Sequence, residues 1–342
     1  MGKLNPDWCY CFVLGPSRGE TILVRVPGEH WLVVDSFVHA GRPAAIHVLD
    51  EHSANWECLI LTHPHADHYE GFDELLARNL NGKVGCVHPG VSESGDVLSQ
   101  DAIAHFGQGA VPVYDAIKTR WANNEATKWE TFRGSHRALG DAKLHILHPP
   151  DPVPPPAWDR DRNKVSTAVW ITWKNLSLLL AGDVVNPKWQ EVATGNALLG
   201  NLARHTAMKL PHHGSKGAYH QSYAEGDEVR TWVVTPFASS GIPKAADGHG
   251  LELLMRHVTE IQMTSLPFAH DCEDEAPCTT TRLQIRDETH PRPVGAKTLP
   301  NGKRGKAPAL STSTERRIVM AFDDKGTLQE LQHGRGTVRI TR

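Results

Sequence analysis

"LILTHPHADHYEGFDELL", residues 59–76, sets three histidines and an aspartate within six positions directly behind an apolar run. The apolar residues, in "ECLILTH", read as a buried strand that delivers the cluster at its C-terminal end. Beyond the cluster, Phe72, Leu75, Leu76 and Leu80 fall at helical spacing, up to a stop at Asn81-Gly82. The cluster thus occupies a strand-to-helix loop, where rigid elements hold polar groups at the edge of a core. Alternate side chains of an extended segment share a side, so His63 and His65 face one position. Asp67 and His68, further round the turn, face a second. Imidazole and carboxylate are the ligand set zinc prefers, with manganese or iron as alternatives.

The flanking sequence supplies the sheets. "TILVRVPGEHWLVVDSF" predicts a hairpin about a Pro-Gly turn, ending at Asp35. "STAVWITWKNLSLLLAGD" predicts a second hairpin, turning at Lys174-Asn175 and ending at Asp183. Further strands are expected at "AKLHILHPP", "AMKLPHHGS", "TWVVTPF", "IQMTS" and in the closing "RRIVMAFDDKGTLQEL" and "GTVRI". Helices are expected after Asn186-Pro187 and at "LELLMRHV". Residues 91–140 read as helical and polar, with Trp121, Trp129 and Phe132 as packing anchors. The polar, turn-rich stretch 271–315 reads as an irregular, loop-rich insertion before the closing strands of a single domain, 1–342. The order of strands and helices suggests two similar halves and an α/β sandwich.

Composition narrows the class. Of 342 residues, 39% are hydrophobic and 22% charged, the balance of a globular chain with a sizeable core. A net charge of −3 gives no global basic field for nucleic acid, although "LPNGKRGK" around Lys303, Arg304 and Lys306 is a short basic patch. Six dispersed cysteines read as reduced rather than as a disulfide framework. "HDCEDEAPC", with His270, Cys272 and Cys278, lacks the spacing of a common zinc knuckle. No secretory signal and no membrane-length apolar run is visible, so a cytoplasmic protein without membrane association is expected.

Two metal positions need more ligands than one turn supplies, and later strand ends offer them. Asp183 emerges from the buried "LLLAGD"; alone it could cap the next helix, but beside the histidine turn it reads as a bridging ligand. "LPHHGS" adds His212 and His213, of which at least one reads as a ligand. His249, before a helix, is a candidate for stabilising an oxyanion or donating a proton.

"THPHADH", "LLLAGD" and "LPHHGS", in this order, resemble the metallo-β-lactamase superfamily. More narrowly they resemble the hydrolase domain of the ComEC-type DNA-uptake competence proteins and its free-standing relatives. The likeness covers roughly residues 10–265 and the closing strands. It implies an αββα sandwich with the metal site at the sheet edges. It also implies that His63 and His65 hold one metal and that Asp67 and His68 hold the other. Asp183 would bridge them, His213 or His212 would complete the second site, and Asp35 would support the histidine turn from behind. Three departures stand out. Gly19-Glu20-Thr21 replaces the usual Gly-Asp-Ala, and Asp35-Ser36-Phe37 replaces Asp-x-Gly. Asn163 and Ser166 stand where many superfamily members place a further histidine, as in the competence-type branch; His148 is a candidate substitute.

Two divalent ions, zinc first and manganese second, would make hydroxide available at neutral pH and stabilise a developing oxyanion. Asp67 or Asp183 would accept the nucleophile's proton. Asn163, Ser166, Ser215 and Lys216 are candidate substrate contacts, the last two placed to hold a phosphate. The expected function is phosphodiester hydrolysis, on nucleic acid or a nucleotide. Hydrolysis of a non-phosphate ester, thioester or lactam on the same site, or non-catalytic metal binding, are the alternatives.

Overall fold

The computed structural model describes residues 3–15, 18–86, 109–150, 162–195, 202–226, 230–237, 239–243, 250–265, 316–334 and 337–341, with the backbone of 284–287 and 293–294. Strands β1 (Cys9–Leu14), β2 (Thr21–Val26) and β3 (His30–Val34) form an antiparallel meander. A two-residue ribbon, β4 (Val38–His39) with β5 (Arg42–Pro43), leads into a helix at Ala44–Glu51. Strands β6 (Cys58–Leu61), β7 (Lys83–Cys86) and β8 (Thr127–Glu130) then add in parallel beside β3.

The second sheet starts with β9 (His136–Leu139), β10 (Ala142–His148), β11 (Ala168–Trp173) and β12 (Leu176–Leu180), all antiparallel. It continues in parallel through β13 (Ala207–Lys209), β14 (Thr231–Val234) and β15 (Glu260–Met263). Strands β16 (Gln284–Asp287) and β17 (Pro293–Val294) lie at its far edge. Strands β18 (Arg317–Phe322) and β19 (Leu328–His333) return to the first sheet beside β1, and β20 (Val338–Thr341) inserts between β15 and β16.

Period-two alternation explains the layering. Tyr10, Phe12, Leu23, Trp31, Val33, Leu59 and Leu61 face a core shared with the helices Ala44–Glu51, Phe72–Arg78 and Val111–Ala122. The residues between them, Cys9, Cys11, Ile22, Val24, Leu32, Val34, Cys58 and Ile60, face Leu144, Ile146, Val169, Ile171 and Leu178 of the second sheet. The outer side of that sheet, with Trp170, Leu179, Met208 and Trp232, packs on Trp189, Tyr223, Leu251 and Leu254 from a second helix layer. Both faces of the central strands are covered, so β1, β2, β3 and β6 read as near-continuous apolar runs, whereas β8, β9 and β19 keep exposed residues. Each Val, Leu or Ile so buried contributes about 1.5–3 kcal/mol. The result is an αββα sandwich with three cores between four layers.

Three expectations are corrected. Of the stretch 91–140, only Val111–Ala122 is α-helical among the described residues, and 127–130 and 136–139 are strands. Strand β8 buries only Trp129, and β9 only Leu139, so neither carries an apolar pattern strong enough to announce a strand. The helix expected after the histidine turn is present as Phe72–Arg78 but ends before Leu80, which is exposed, and the turn itself contains a further short helix, Ala66–Tyr69, separated from it by Gly71 at φ 74°. Within 271–315, β16 pairs with β20 and so belongs to the sheet; the basic patch and the His270, Cys272, Cys278 group lie outside the described residues. Cys9, Cys11, Cys58 and Cys86 are free and buried, and burial pushes the Cys11 and Cys58 thiols up to about 12. No helix among the described residues is long and apolar enough to cross a membrane.

Candidate metal centre

Parallel pairing of β3 with β6, and of β12 with β13, brings four strand C-termini to one edge of the sandwich. Asp35 follows β3, the histidine turn follows β6, Asp183 follows β12 and His213 follows β13. Asp35 takes φ 60°, a left-handed conformation that aspartate tolerates better than most residues. It turns its carboxylate under the histidine loop. There it accepts from the Thr62 N–H at 2.7 Å, the Thr62 hydroxyl at 2.7 Å and His68 Nδ1 at 2.7 Å. The turn is thereby fixed before any ligand binds. Asp183 needs Gly182 ahead of it: Gly182 sits at φ 50°, and a Cβ there would meet Ser166 Oγ at 2.5 Å and Thr167 O at 2.6 Å.

The side chains converge. Asp183 Oδ2 lies 3.8 Å from His63 Nε2, 3.6 Å from His68 Nε2 and 3.5 Å from His213 Nε2. Asp67 Oδ2 lies 3.5 Å from His68 Nε2 and 3.2 Å from His213 Nε2. His65 Nδ1 faces His63 Nε2 at 2.9 Å. Ligands bound about 2.0–2.2 Å from one tetrahedral ion lie about 3.3–3.6 Å apart, close to the spacing of these atoms. His68 Nε2 is buried and has no hydrogen-bond partner, which is costly for a polar atom and fits the role of a metal ligand. His63, His65 and Asp183 form one group whose ligand atoms lie within 4.8 Å of one another; Glu20, His68, Asp183 and His213 form another. Glu20 Oε2 is already engaged by Lys209 and by the Thr235 hydroxyl, and both Glu20 oxygens face the Nδ1 atoms of His68 and His213, whereas Asp67 Oδ2 is aimed at the Nε2 atoms of the same two imidazoles. The donor set fits divalent metal, zinc among the candidates.

The charges are arranged in two sets. Burial lowers His63 well below its usual value, helped by the neighbouring His68 and His65, and lowers His65 to about 4. Burial also opposes the charged forms of His68 and His213, but the carboxylates around them prevail. His68 is raised well above its usual value by Asp67, Asp35 and Asp183, and His213 to about 9, chiefly by Asp183. Against burial, Asp183 is held well below the carboxylate range by His213 and His68. Without metal, protons on His68 and His213 therefore do part of the metal's electrostatic work.

This has a testable consequence. The stabilisation from charged His213 is full below about 6.5 and is lost as pH rises through about 9, and that from His68, raised well above its usual value, is lost in the same direction. Buried neutral His65 acts oppositely, costing stability as pH falls from about 6.5 towards 4. The chelated protein should therefore melt highest near pH 6.5. The increase in Tm on adding Zn²⁺ should grow from pH 6.5 to 9, because fewer protons compete for the imidazoles. A pH-independent increment, read by calorimetry, would rule this out.

The remaining sequence candidates fall elsewhere. His212 and His213 take left-handed φ values of 42° and 51°, and this reversal sends the two rings in different directions. His213 enters the cluster with Nδ1 donating to Thr235 O at 2.8 Å. His212 leaves it: Nε2 meets Asn163 Nδ2 at 3.1 Å, and Nδ1 meets Ser215 Oγ at 2.8 Å. Ser166, expected at the substrate, is fully buried and accepts from the Asp183 N–H at 2.8 Å, so it holds the aspartate instead. His148 is no substitute ligand: its Nδ1 donates to Ser166 O at 2.7 Å, outside both convergent groups. Ser215 and Lys216 line an open cavity of about 450 Å³ together with His212, Val185, Asn186 and Ile242. His249 lies outside the described residues. Sequence reasoning missed Lys209 and did not weigh Glu20 for the site, although both are buried beside it. A lysine inside the apolar strand "AMKLP", and a glutamate where the resemblance expects Gly-Asp-Ala, were the available signals.

Two mixed sheets between helix layers, with a buried histidine–carboxylate cluster at their common edge, define a metal-site αββα protein. The chain belongs to the metallo-beta-lactamase superfamily, whose family model matches residues 14–224, more than half of its length. Solved structures of similar shape include a motif-mutant metallo-beta-lactamase from Cronobacter sakazakii (16% identity, TM-score 0.35, covering 52% of this chain and 62% of that one). Another is the metallo-beta-lactamase fold protein YhfI from Bacillus subtilis (11%, 0.34, 58% and 70%). A third is Zn²⁺-bound PqqB from Methylobacterium extorquens (12%, 0.36, 58% and 71%). The chain thus spans less than two thirds of the first of these, and likenesses this distant carry no argument about activity. No curated protein matches the sequence.

Proposed function

We propose that the protein is a metal-dependent phosphodiesterase acting on a nucleic acid or a nucleotide. The observation that carries the metal-dependent part is the convergence of the His63, His68 and His213 Nε2 atoms on Asp183 Oδ2 within 3.5–3.8 Å. In this reading His63, His65 and Asp183 hold one divalent ion, and Asp67, His68, Asp183 and His213 hold a second. Zinc is the first choice and manganese the alternative. When bound, the metals supply Lewis-acid polarisation and hydroxide at neutral pH.

The chain's own groups do the rest. Asp67 and Asp183 are the carboxylates placed to take a proton from the nucleophile, and Asp35 and Thr235 orient the imidazoles through Nδ1. Asn163 braces His212, which with Ser215 and Lys216 forms the polar wall of the adjoining cavity. A hydroxyl, an imidazole and an exposed ammonium on one wall suit the oxygens of a phosphate. The histidine-poor first position, with Asn163 and Ser166 where a further histidine is common, supports kinship with the ComEC-type competence branch.

Zinc-loaded protein should hydrolyse bis(p-nitrophenyl) phosphate and single-stranded DNA. A Ser215→Ala/Lys216→Ala variant should raise KM about tenfold with unchanged metal content, the loss expected for one or two charge-assisted hydrogen bonds. Turnover of a lactam or thioester without phosphodiester cleavage would reject the substrate class and leave the metal site standing.

A further inference from the structure

Behind the cluster lies a buried ion pair whose carboxylate flanks two of the cluster's imidazoles, Glu20 Oε2 at 3.4 Å from His213 Nδ1 and Oε1 at 3.9 Å from His68 Nδ1. Lys209 is in the last position of β13, and its side chain is fully buried. Its ammonium sits 2.5 Å from Glu20 Oε2, which also accepts from the Thr235 hydroxyl at 2.5 Å. Desolvating an ammonium and a carboxylate is costly, and a well-packed apolar pair of similar volume would serve folding as well or better. The same ammonium lies 4.0 Å from Asp183 Oδ1, an oxygen with no hydrogen-bond partner. Asp183 is therefore two-faced. Oδ2 looks at three imidazole nitrogens, and Oδ1 looks at the buried ammonium of Lys209.

We propose that Lys209, anchored by Glu20, is a positioning residue that holds Asp183 as a one-oxygen bridge between two metals. The inference rests on the reading of Asp183 as a shared ligand. Attraction to Lys209 keeps Oδ1 turned outward, so only Oδ2 is presented to the metal side. Without that cation, Oδ1 is free to rotate inward and Asp183 can chelate one ion with both oxygens, at the expense of the second ion. Glu20 in turn fixes Lys209 against β2 and β14, and prevents it from closing onto Asp183 as a direct salt bridge that would compete with the metals.

The test removes the pair as a unit, because Lys209→Met alone would leave Glu20 buried and uncompensated. Wild type and Glu20→Gln/Lys209→Met are titrated with Zn²⁺ against a chromophoric chelator. Cobalt(II) absorption provides a second readout of coordination. Wild type should take two equivalents. The double variant should keep the first and bind the second 10–100-fold more weakly, the range found for supporting residues of metal sites. The cobalt spectrum should change accordingly. Equal affinities for both equivalents in the two proteins would show that Lys209 only neutralises Glu20, and would overturn the proposal. Should the double variant not fold, Glu20→Gln/Lys209→Gln, a neutral hydrogen-bonding pair, is held to the same two outcomes. A wild type that takes up no second equivalent would instead overturn the two-metal reading itself.

Discussion

Asp183→Asn is expected to lower kcat/KM for bis(p-nitrophenyl) phosphate by on the order of 10³-fold, about 4 kcal/mol of transition-state stabilisation. The substitution keeps the size and the hydrogen bond from Asp183 N to Ser166 Oγ, so the backbone after β12 has no reason to move. It removes the charge that faces three imidazole nitrogens at 3.5–3.8 Å and replaces one oxygen with a donor. An amide is a poor bridging ligand, so metal content should fall below two equivalents. A second consequence separates this account from simple damage. Asp183 is the main group holding His213 up to about 9, so the variant's metal-free form should lose much of its alkaline decline in stability. Full activity with two metals in the variant would refute the assignment of Asp183. Normal metal content with lost activity would shift its role from ligand to proton acceptor.

The part of this site that was legible in the sequence is the part built from contiguous residues. His63, His65, Asp67 and His68 share one turn, and Asp183 and the His212-His213 pair each end an apolar strand, so local pattern placed them together. Which histidine of the pair turns inward was not legible, because it depends on two successive left-handed residues. Ser166 and His148 were misplaced for a related reason: both support the loop rather than face the cavity, and burial does not show in residue type. Lys209 and Glu20 are far apart in the chain and meet only because β13 and the start of β2 close on the same edge. The sandwich itself was legible through its fully buried strands. Strands β8 and β9 were not, since each offers a single buried large side chain, and tertiary pairing rather than propensity decides them.

Asp35 carries the other large effect, this time on stability and metal affinity together. Its carboxylate accepts from Thr62 N, Thr62 Oγ1 and His68 Nδ1, each at 2.7 Å, with no solvent to replace it. Asp35→Ala would leave the Thr62 N–H and His68 Nδ1 without their acceptor, leave the Thr62 hydroxyl only His63 Nδ1 at 3.0 Å, and deprive His68 of its supporting anion. Breaking one side of such a buried charged network typically costs about 3–5 kcal/mol. Alanine also tolerates φ 60° less well than aspartate, which adds to the loss. Because the His68 ring would no longer be held by Nδ1, metal affinity should fall about 10–100-fold even in protein that remains folded. Asp35→Asn distinguishes the two contributions. It accepts the left-handed backbone and can still receive one or two of the three hydrogen bonds through its single oxygen. It should therefore recover much of the urea stability of the chelated protein while leaving metal affinity impaired. If Asp35→Asn restored neither, backbone geometry would be irrelevant at this position. If Asp35→Ala bound metal as tightly as wild type, the histidine turn would be self-supporting and the role of Asp35 confined to the fold.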